Sequence, residues 1–455
     1  MNLFQLVTKQ MRQRALSTWL TTLSVMLGVG LAIAILILYR QGNALFVQSD
    51  FGYDVIVGPP KGSPLQLVLN TVYQIDVSPG NVPYSVYEDL VRNPRDVKIA
   101  IPYAVGDSYK NHRIIGTSPK LFGVNDEGKP IEPEKRFEYR LGKSYQIAQG
   151  RAFHPQKFEA VIGSEMTQRT GLKIGDSFKA THGMPKPGEP PDEHDQLWTV
   201  VGVLAPTHTA ADRVVFIPLS SFYAISEHEE GLKQQAELKA GIAPAPPAKE
   251  EEQPPPFKLR DDGTIELLLP KADWQVSAIL VKARSSFAAN NLMYYYKVIK
   301  PEAVAVNPAT TMREFFETFL KNGALVMLMI AVLVSIVAAV GILVSIYNSV
   351  SARKREIAIL RALGATRARV LTLLCAEAGL IGFLGAMLGW LVAHGGAGIG
   401  SAYLNRFLGE RIAWLSFDRF EVLYLAGVVL LAVLAGLVPA LKAYRTPVAT
   451  NLVAS

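Results

Sequence analysis

Cysteine is almost absent from this chain. Cys375 is the only one in 455 residues, and it lies within an apolar run. An intramolecular disulfide is therefore impossible. The polar middle of the chain, residues 41–320, must be held together by its hydrophobic core, and a segment of that length can bury one.

Motifs for catalysis and for nucleotide binding are also missing. A P-loop uses backbone amides and a Lys to hold phosphates. Gly142, Lys143 and Ser144 resemble its ending, but Phe137 stands where the first glycine is required. Neither a GxSxG nor an HExxH pattern occurs. We therefore predict a non-catalytic protein with no cofactor of its own, and any ATP must be bound by another polypeptide.

Four long runs with little charge are present instead. The first, Thr18–Tyr39, has no charged residue, and at about 1.5 Å per residue it reaches about 33 Å, enough to cross a bilayer. We take it as a retained anchor, because its apolar core is long for a signal peptide and no small-x-small cleavage site precedes Arg40. The predicted organisation is an interfacial helix and first span within 1–40, followed by spans at 323–347, 370–393 and 422–441.

The excess of basic over acidic residues lies beside these runs and not between residues 41 and 320. That middle region has 30 Lys and Arg against 34 Asp and Glu, although the whole chain carries a formal net charge of +7. A nucleic-acid surface is therefore excluded. Since Lys and Arg next to spans stay in the cytoplasm, both termini are predicted inside and the middle region outside. The flanking cations are Lys9, Arg12, Arg14, Lys442, Arg445 and those of the link between the second and third spans.

The pattern of the outer region predicts an α/β domain with two modules. Strand-like segments such as Val97–Ile101 and Gln275–Val281 alternate with helical ones. A β-rich outer module at about 111–274 is predicted to be inserted into the inner module. Within it, residues 227–262 are rich in Pro and Glu and poor in large apolar residues, so we predict a disordered insertion.

The link at 351–369 is short, basic and amphipathic. Its apolar residues recur at helical spacing, and a glycine follows that can end the helix. A charged helix with an apolar stripe that faces the cytosol suits the groove of another protein. The stripe is Ile357, Ile359, Leu360 and Leu363, ended by Gly364, and the charged residues are Arg353, Lys354, Arg355, Glu356, Arg361, Arg367 and Arg369.

At these residues the sequence resembles the cytoplasmic coupling segment of FtsX/MacB-type permeases, the mechanotransmission class of ABC transporters. VIGSEMTQRTGLKIGDSF at 161–178, WTVVGVL at 198–204 and DRVVFIPLSSF at 212–222 are similar to segments of the MacB-like periplasmic domain. LVPALKAYRTPVATNL at 437–452 is similar to the family pattern after the fourth helix. Because no P-loop is found, we expect the ATPase to be a separate polypeptide and the chain to be closer to lipoprotein-release and FtsX-like permeases.

The resemblance implies a membrane protein with four transmembrane helices and a large α/β (α+β) periplasmic domain of two modules between the first and second helices. It implies a bacterial inner-membrane location, a second permease subunit as homodimer or paralogue partner, and a separate ABC ATPase that binds ATP and Mg²⁺. A periplasmic adaptor, an outer-membrane channel or a lipoprotein is a further expected partner. The residues expected to contact the ATPase are Arg353, Glu356, Ile359, Leu360, Arg361, Leu363 and Gly364.

Two other groups of polar residues stand out. Glu377 lies within the third predicted span, where the family often has Glu, and we expect a hydrogen bond to a neighbouring helix. His182, His194 and His208 fall within the outer module and could supply imidazole to a borderline metal. Their spacing is irregular and their surroundings are Pro-rich, so we predict a solvated polar loop and no metal.

Three functions remain open. The first is a permease subunit that couples a separate ATPase to periplasmic movement, for export or extraction of a substrate, and the large outer domain favours it. The second is an FtsX-like signalling or scaffold subunit that controls a periplasmic partner without transport. The third is a metal-linked transport system. An ATPase-free receptor is disfavoured, because its cytoplasmic helix would have no reason to be basic and amphipathic.

Overall fold

The computed structural model describes residues 3–46, 51–75, 77–184, 193–225, 257–353, 357–359, 361, 365–408 and 418–445. The chain divides into two compact units. The membrane unit comprises Met1–Phe46, Phe316–Phe407 and Arg411–Ser455. The α/β unit comprises Val47–Phe315 and Leu408–Glu410.

Long helices form the membrane unit. Four of them contain stretches long and apolar enough to cross a membrane. The predicted layout, four such helices with a large α/β domain between the first and the second, is confirmed. The helices are α1 Leu3–Gln13, α2 Ala15–Phe46, α3 Asn322–Ala352, α4 Arg367–Leu408 and α5 Arg419–Arg445.

These helices are longer than the predicted spans. Helix α2 runs to Phe46, beyond Arg40, and α3 runs to Ala352, beyond residue 347. The apolar runs mark only the part of a helix that suits hydrocarbon, whereas backbone hydrogen bonding continues into polar residues. The link is correspondingly shorter than 351–369, because Ser351 lies in α3 and Arg367 begins α4.

The core of the membrane unit consists of small and β-branched residues. Val29 and Ile33 of α2 are fully buried, and they belong to one cluster with Ile342 of α3 and Ala378 of α4. Helix α1 joins this packing, since Met11 lies against the same cluster. The predicted interfacial helix is therefore packed on the bundle.

The α/β unit contains sixteen strands in its described part. Short helices lie between them at Pro64–Val68, Tyr84–Val91, Met166–Thr170, Leu219–Tyr223 and Ser286–Tyr294, and a further one, Pro308–Phe315, follows the last strand. The strands are β1 Val55–Gly58, β2 Val82–Pro83, β3 Val97–Tyr109, β4 His112–Thr117, β5 Glu138–Arg140, β6 Lys143–Ser144, β7 Ile147–Gly150, β8 Glu159–Ile162, β9 Ser177–His182, β10 Glu193–Leu204, β11 Val215–Pro218, β12 Phe257–Leu259, β13 Ile265–Leu267, β14 Gln275–Val276, β15 Ala278–Ala283 and β16 Val304–Val306.

Ten strands form one sheet in the order β16-β1-β15-β3-β4-β11-β8-β10-β7, and β9 pairs with both β10 and β3. All pairs are antiparallel except β4 with β11 and β8 with β10. The first part of β3 pairs with β15, and its second part pairs with β4 and β9. The ladder therefore continues through β3 between the strands of the two predicted modules.

Part of the predicted disordered insertion is ordered. Residues 227–256 of that prediction lie outside the described residues. Phe257–Leu259, at its end, forms β12 and pairs with β13. The prediction is wrong for this part, because the Phe257 ring packs edge-on against Phe158, with 5.3 Å between centroids.

An ion pair with a buried carboxylate fixes the connection into β8. Arg151 donates two hydrogen bonds of 2.7 Å to the two carboxylate oxygens of Glu159, and the backbone N–H of His154 donates a third at 2.8 Å. Burial alone raises the pKa of Glu159, but the hydrogen bonds from Arg151 and His154 outweigh it and hold the pKa below its usual range. The charged form is thus the one that the fold stabilises.

Candidate functional site

The described part of the coupling segment faces in two directions. Ile357 packs against the core of the membrane unit, and Ala358 is buried. Ile359 is 43% exposed. The predicted single stripe is therefore divided, because Ile357 packs on the bundle whereas Ile359 is exposed. Arg353 and Arg361 are also described, whereas Glu356, Leu360, Leu363 and Gly364 lie outside the described residues.

Polar contacts join the C-terminal part of α3 to Gln13 of α1 and to Arg14, which immediately precedes α2. We call Gln13, Arg14, Ser345, Arg353 and Glu377 the Arg353 cluster. The guanidinium of Arg353 donates to Oε1 of Gln13 at 3.1 Å, and Arg14 donates to the carbonyl oxygen of Ser345 at 3.5 Å. The residue that begins the coupling segment is therefore in contact with the helix that precedes the first span.

Glu377 completes this cluster from α4. Its side chain is almost fully buried, and Arg353 and Arg14 are the charged groups that act on it. Within the described residues Oε2 of Glu377 has no hydrogen-bond partner. The predicted hydrogen bond to a neighbouring helix is therefore not seen for this oxygen, and Arg353 and Arg14 influence the carboxylate through their charge only.

A second polar cluster joins α2, α4 and α5. We call it the Glu421 cluster. Nε1 of Trp390 donates to Oε2 of Glu421 at 3.1 Å, and Nε2 of His394 lies 3.0 Å from the same oxygen. Arg40 of α2 pairs with Asp418 at 3.3 Å and approaches Oε1 of Glu421 at 4.0 Å. Because α5 begins at Arg419 and not at residue 422, Glu421 is a second buried acid within the spanning helices.

Between these clusters the helices meet through small residues. A Cβ built on Gly389 of α4 would lie 2.6 Å from the carbonyl oxygen of Met26 and 2.9 Å from the backbone N of Gly30. A Cβ on Gly382 would lie 2.4 Å from Cβ of Ala432. The absence of side chains at these glycines lets α4 approach both α2 and α5 closely.

Two of the three candidate histidines come together in the α/β unit, beside an acid. Nε2 of His194 lies 3.3 Å from Oδ1 of Asp107, and Nδ1 of His182 lies 3.8 Å from it. Asp107 and His194 are buried, whereas the side chain of His182 is 50% exposed. His208 is elsewhere: it is exposed, and its backbone N–H donates to Asp212 at 2.7 Å.

Two family models match the chain. The MacB-like periplasmic core domain matches residues 18–244, and the FtsX-like permease C-terminal model matches residues 328–448. The chain belongs to the FtsX/MacB-type permease family. No curated protein matches it. The resemblance found at the coupling segment and in the α/β domain is confirmed.

Family membership gives this permease its general role as a membrane subunit of an ABC transporter. Members of the family work with an ABC ATPase and are generally non-catalytic. The four spanning helices and the MacB-like periplasmic domain fit a protein of the bacterial inner membrane.

Sequence reasoning missed three polar residues of this permease: Asp107, His394 and Glu421. His394 and Glu421 stand at the borders of predicted spans, and an imidazole and a carboxylate at such borders were the available signal. Asp107 carried no local signal, because the histidines that approach it come more than seventy positions later in the sequence.

Proposed function

We propose that this permease is the membrane subunit of a mechanotransmission system. ATP binding by a separate ABC ATPase moves the coupling segment, and the membrane helices carry that movement toward the periplasmic α/β unit. The substrate or partner is acted on in the periplasm, for export or extraction, and not in a channel between the helices. A second permease subunit and a second ATPase complete the complex.

The observation that carries the proposal is the position of the coupling segment. It connects α3 to α4, and it leaves an apolar side chain, Ile359, exposed. Its first residue, Arg353, contacts Gln13, just before α2 begins. A force on this segment therefore acts directly on α3 and α4 and, through α1, on α2.

Close packing supports transmission of such a force. Where Gly389 and Gly30 meet, backbone atoms of α4 and α2 are in contact without intervening side chains. Packed interiors shift between discrete arrangements and do not deform smoothly. A nucleotide-dependent contact on the coupling segment is therefore expected to select between two arrangements of the bundle.

The chain connections agree with this direction of transmission. In sequence, α2 leads into the α/β unit and α3 follows it. The basic residues beside the helices favour a cytoplasmic coupling segment and cytoplasmic termini. In this orientation the ATPase contact and the α/β unit lie on opposite sides of the membrane.

Substituting Ile359 by aspartate tests the docking role. Truncating a central apolar anchor in an interface commonly costs about 2 kcal/mol, which is about thirtyfold in affinity. We expect Ile359→Asp to reduce recovery of the ABC ATPase with the tagged permease from membranes. Leu363→Asp is expected to do the same, while Lys354→Ala, a peripheral charge, has a mild effect.

The matched control is Leu141→Asp. Leu141 is a 69% exposed apolar residue in the turn between β5 and β6, so the same change is made far from the coupling segment in sequence. Membrane levels of each variant are measured by immunoblot. Undiminished ATPase recovery with Ile359→Asp and Leu363→Asp would refute docking and leave the segment as a membrane-surface element, held by about 1 kcal/mol per cation.

A further inference from the structure

Three adjacent strands bring Asp107, His182 and His194 together. In the β3–β9 ladder Asp107 is directly opposite His182. Strand β10, which pairs with the other edge of β9, carries His194 near its start. The backbone beside His182 is fixed, since Gly183 N–H donates to the carbonyl of Gly106 at 2.9 Å. The three side chains are thus positioned by sheet hydrogen bonds and not by a loop.

We propose that these three residues bind a divalent transition-metal ion, with Zn²⁺ the best match. One donor atom from each residue lies within 4.8 Å of the others. Two imidazoles and one carboxylate are a donor set that suits borderline metals, zinc above all, whereas Ca²⁺ and Mg²⁺ prefer oxygen ligands. The inference is independent of ATPase coupling and goes beyond it.

The distances require little rearrangement. For tetrahedral ligands at about 2.0–2.1 Å from zinc, two donor atoms are about 3.3–3.4 Å apart. The separation of 3.3 Å between His194 and Asp107 matches this value. The separation of 3.8 Å between His182 and Asp107 exceeds it by about half an ångström. The donor atoms of His182 and His194 lie within 4.8 Å of each other, so rotation of the exposed His182 side chain must shorten its distance to both partners.

Burial gives the cation an electrostatic role. The side chain of Asp107 is fully buried and that of His194 is nearly so. An ionised carboxylate in such a place is costly unless positive charge compensates it. A divalent cation held by the same atoms would place positive charge directly against the buried carboxylate.

The exposed side of the cluster indicates an exchangeable metal. Structural zinc sites use four protein ligands, and sites with three leave a position for water or another ligand. Here the half-exposed His182 forms the rim and the buried pair forms the base. A bound ion would therefore be accessible from solvent, so it is expected to load and leave without unfolding of the domain.

The test uses the full-length permease in detergent, stripped with EDTA and dialysed, and titrated calorimetrically with ZnCl₂. We expect one Zn²⁺ per chain with micromolar or tighter affinity. His182→Gln removes a ligand from the exposed rim and should leave the fold intact. It should weaken binding by about tenfold or more, since even supporting residues of metal sites contribute about 10–100-fold. Asp107→Asn, which keeps the side-chain shape, is expected to weaken binding as well.

The matched control is His208→Asn. It removes another exposed histidine of the same unit, and Asn tolerates the left-handed backbone at this position, where φ is 54°. Its zinc affinity should equal that of the unchanged protein. Co²⁺ loaded in place of Zn²⁺ should give visible absorption bands that are lost in His182→Gln and kept in His208→Asn. No stoichiometric binding, or binding equally strong in His182→Gln and Asp107→Asn, overturns the assignment and leaves a histidine–aspartate hydrogen-bond cluster.

Discussion

Alanine at position 389 would place a methyl group where α4 meets the backbone of α2. Its Cβ would lie 2.6 Å from the carbonyl oxygen of Met26, while ordinary contacts begin at 3.4 Å, so the helices must separate by about 0.8 Å. A gap of this size forfeits about a quarter to a half of each contact energy along the interface. Overpacking of this kind typically costs about 1–3 kcal/mol. The higher helix propensity of alanine relative to glycine offsets at most about 1 kcal/mol of this destabilisation.

The same helix provides the control. Among the described residues, a methyl group added at Gly395 would meet no neighbouring atom within 4 Å, so Gly395→Ala carries the propensity gain without the clash. Gly30→Ala is intermediate, because its Cβ would lie 3.4 Å from the carbonyl of Gly389, at the edge of ordinary contact. Thermal unfolding in one detergent, followed by tryptophan fluorescence, should rank Gly389→Ala well below Gly30→Ala and Gly395→Ala. Coinciding midpoints for all three variants would refute the backbone contact.

Two further predictions concern topology and pH. In a Cys375→Ala background, a cysteine that replaces the exposed Lys129 should react with an impermeant thiol reagent on intact spheroplasts. A cysteine that replaces Ser351 should react only after lysis. Equal labelling of both from outside would contradict a periplasmic α/β unit and a cytoplasmic coupling segment. Because the pKa of Glu159 is lowered by folding, its contribution to stability is present above its unfolded pKa of about 4.3 and is lost as pH falls through the folded value. Glu159→Gln should therefore lower the free energy of unfolding by about 1–3 kcal/mol at pH 7 and by much less at pH 3. If the unfolding midpoints of the variant and the unchanged protein differ by the same amount at both pH values, this explanation is wrong.

The spanning helices could be predicted because a helix that crosses the hydrocarbon of a membrane must contain a long run without charged residues. An uncharged run such as Thr18–Tyr39 has no alternative use in a chain of this composition. Helix ends could not be placed equally well. Arg367 and Glu421 lie within helices because hydrogen bonding and ion pairs, and not apolarity, decide where a helix stops.

In the α/β unit the positions of several strands could be predicted from the sequence, but the pairing between strands could not. Val97–Ile101 is strand-like by composition, but β3 extends to Tyr109 because β4 and β9 pair with its second part. Long-range pairing also explains why the acid beside His182 and His194 was missed. Alternation within one strand shows which face Asp107 occupies and not which strand lies next to it.

The first and last strands of the large sheet are neighbours. Ile56 of β1 is directly opposite Val306 of β16, and the two strands are antiparallel, so the chain enters and leaves the sheet at the same end. Ladder bonds lie perpendicular to the strands. Pulling the two chain ends apart therefore opens the β1–β16 ladder one hydrogen bond after another from that end. Pulling both ends in the same direction along the strands instead loads the β1–β15 ladder in shear. The direction of pull at these two chain ends therefore decides whether this margin of the sheet peels open or holds.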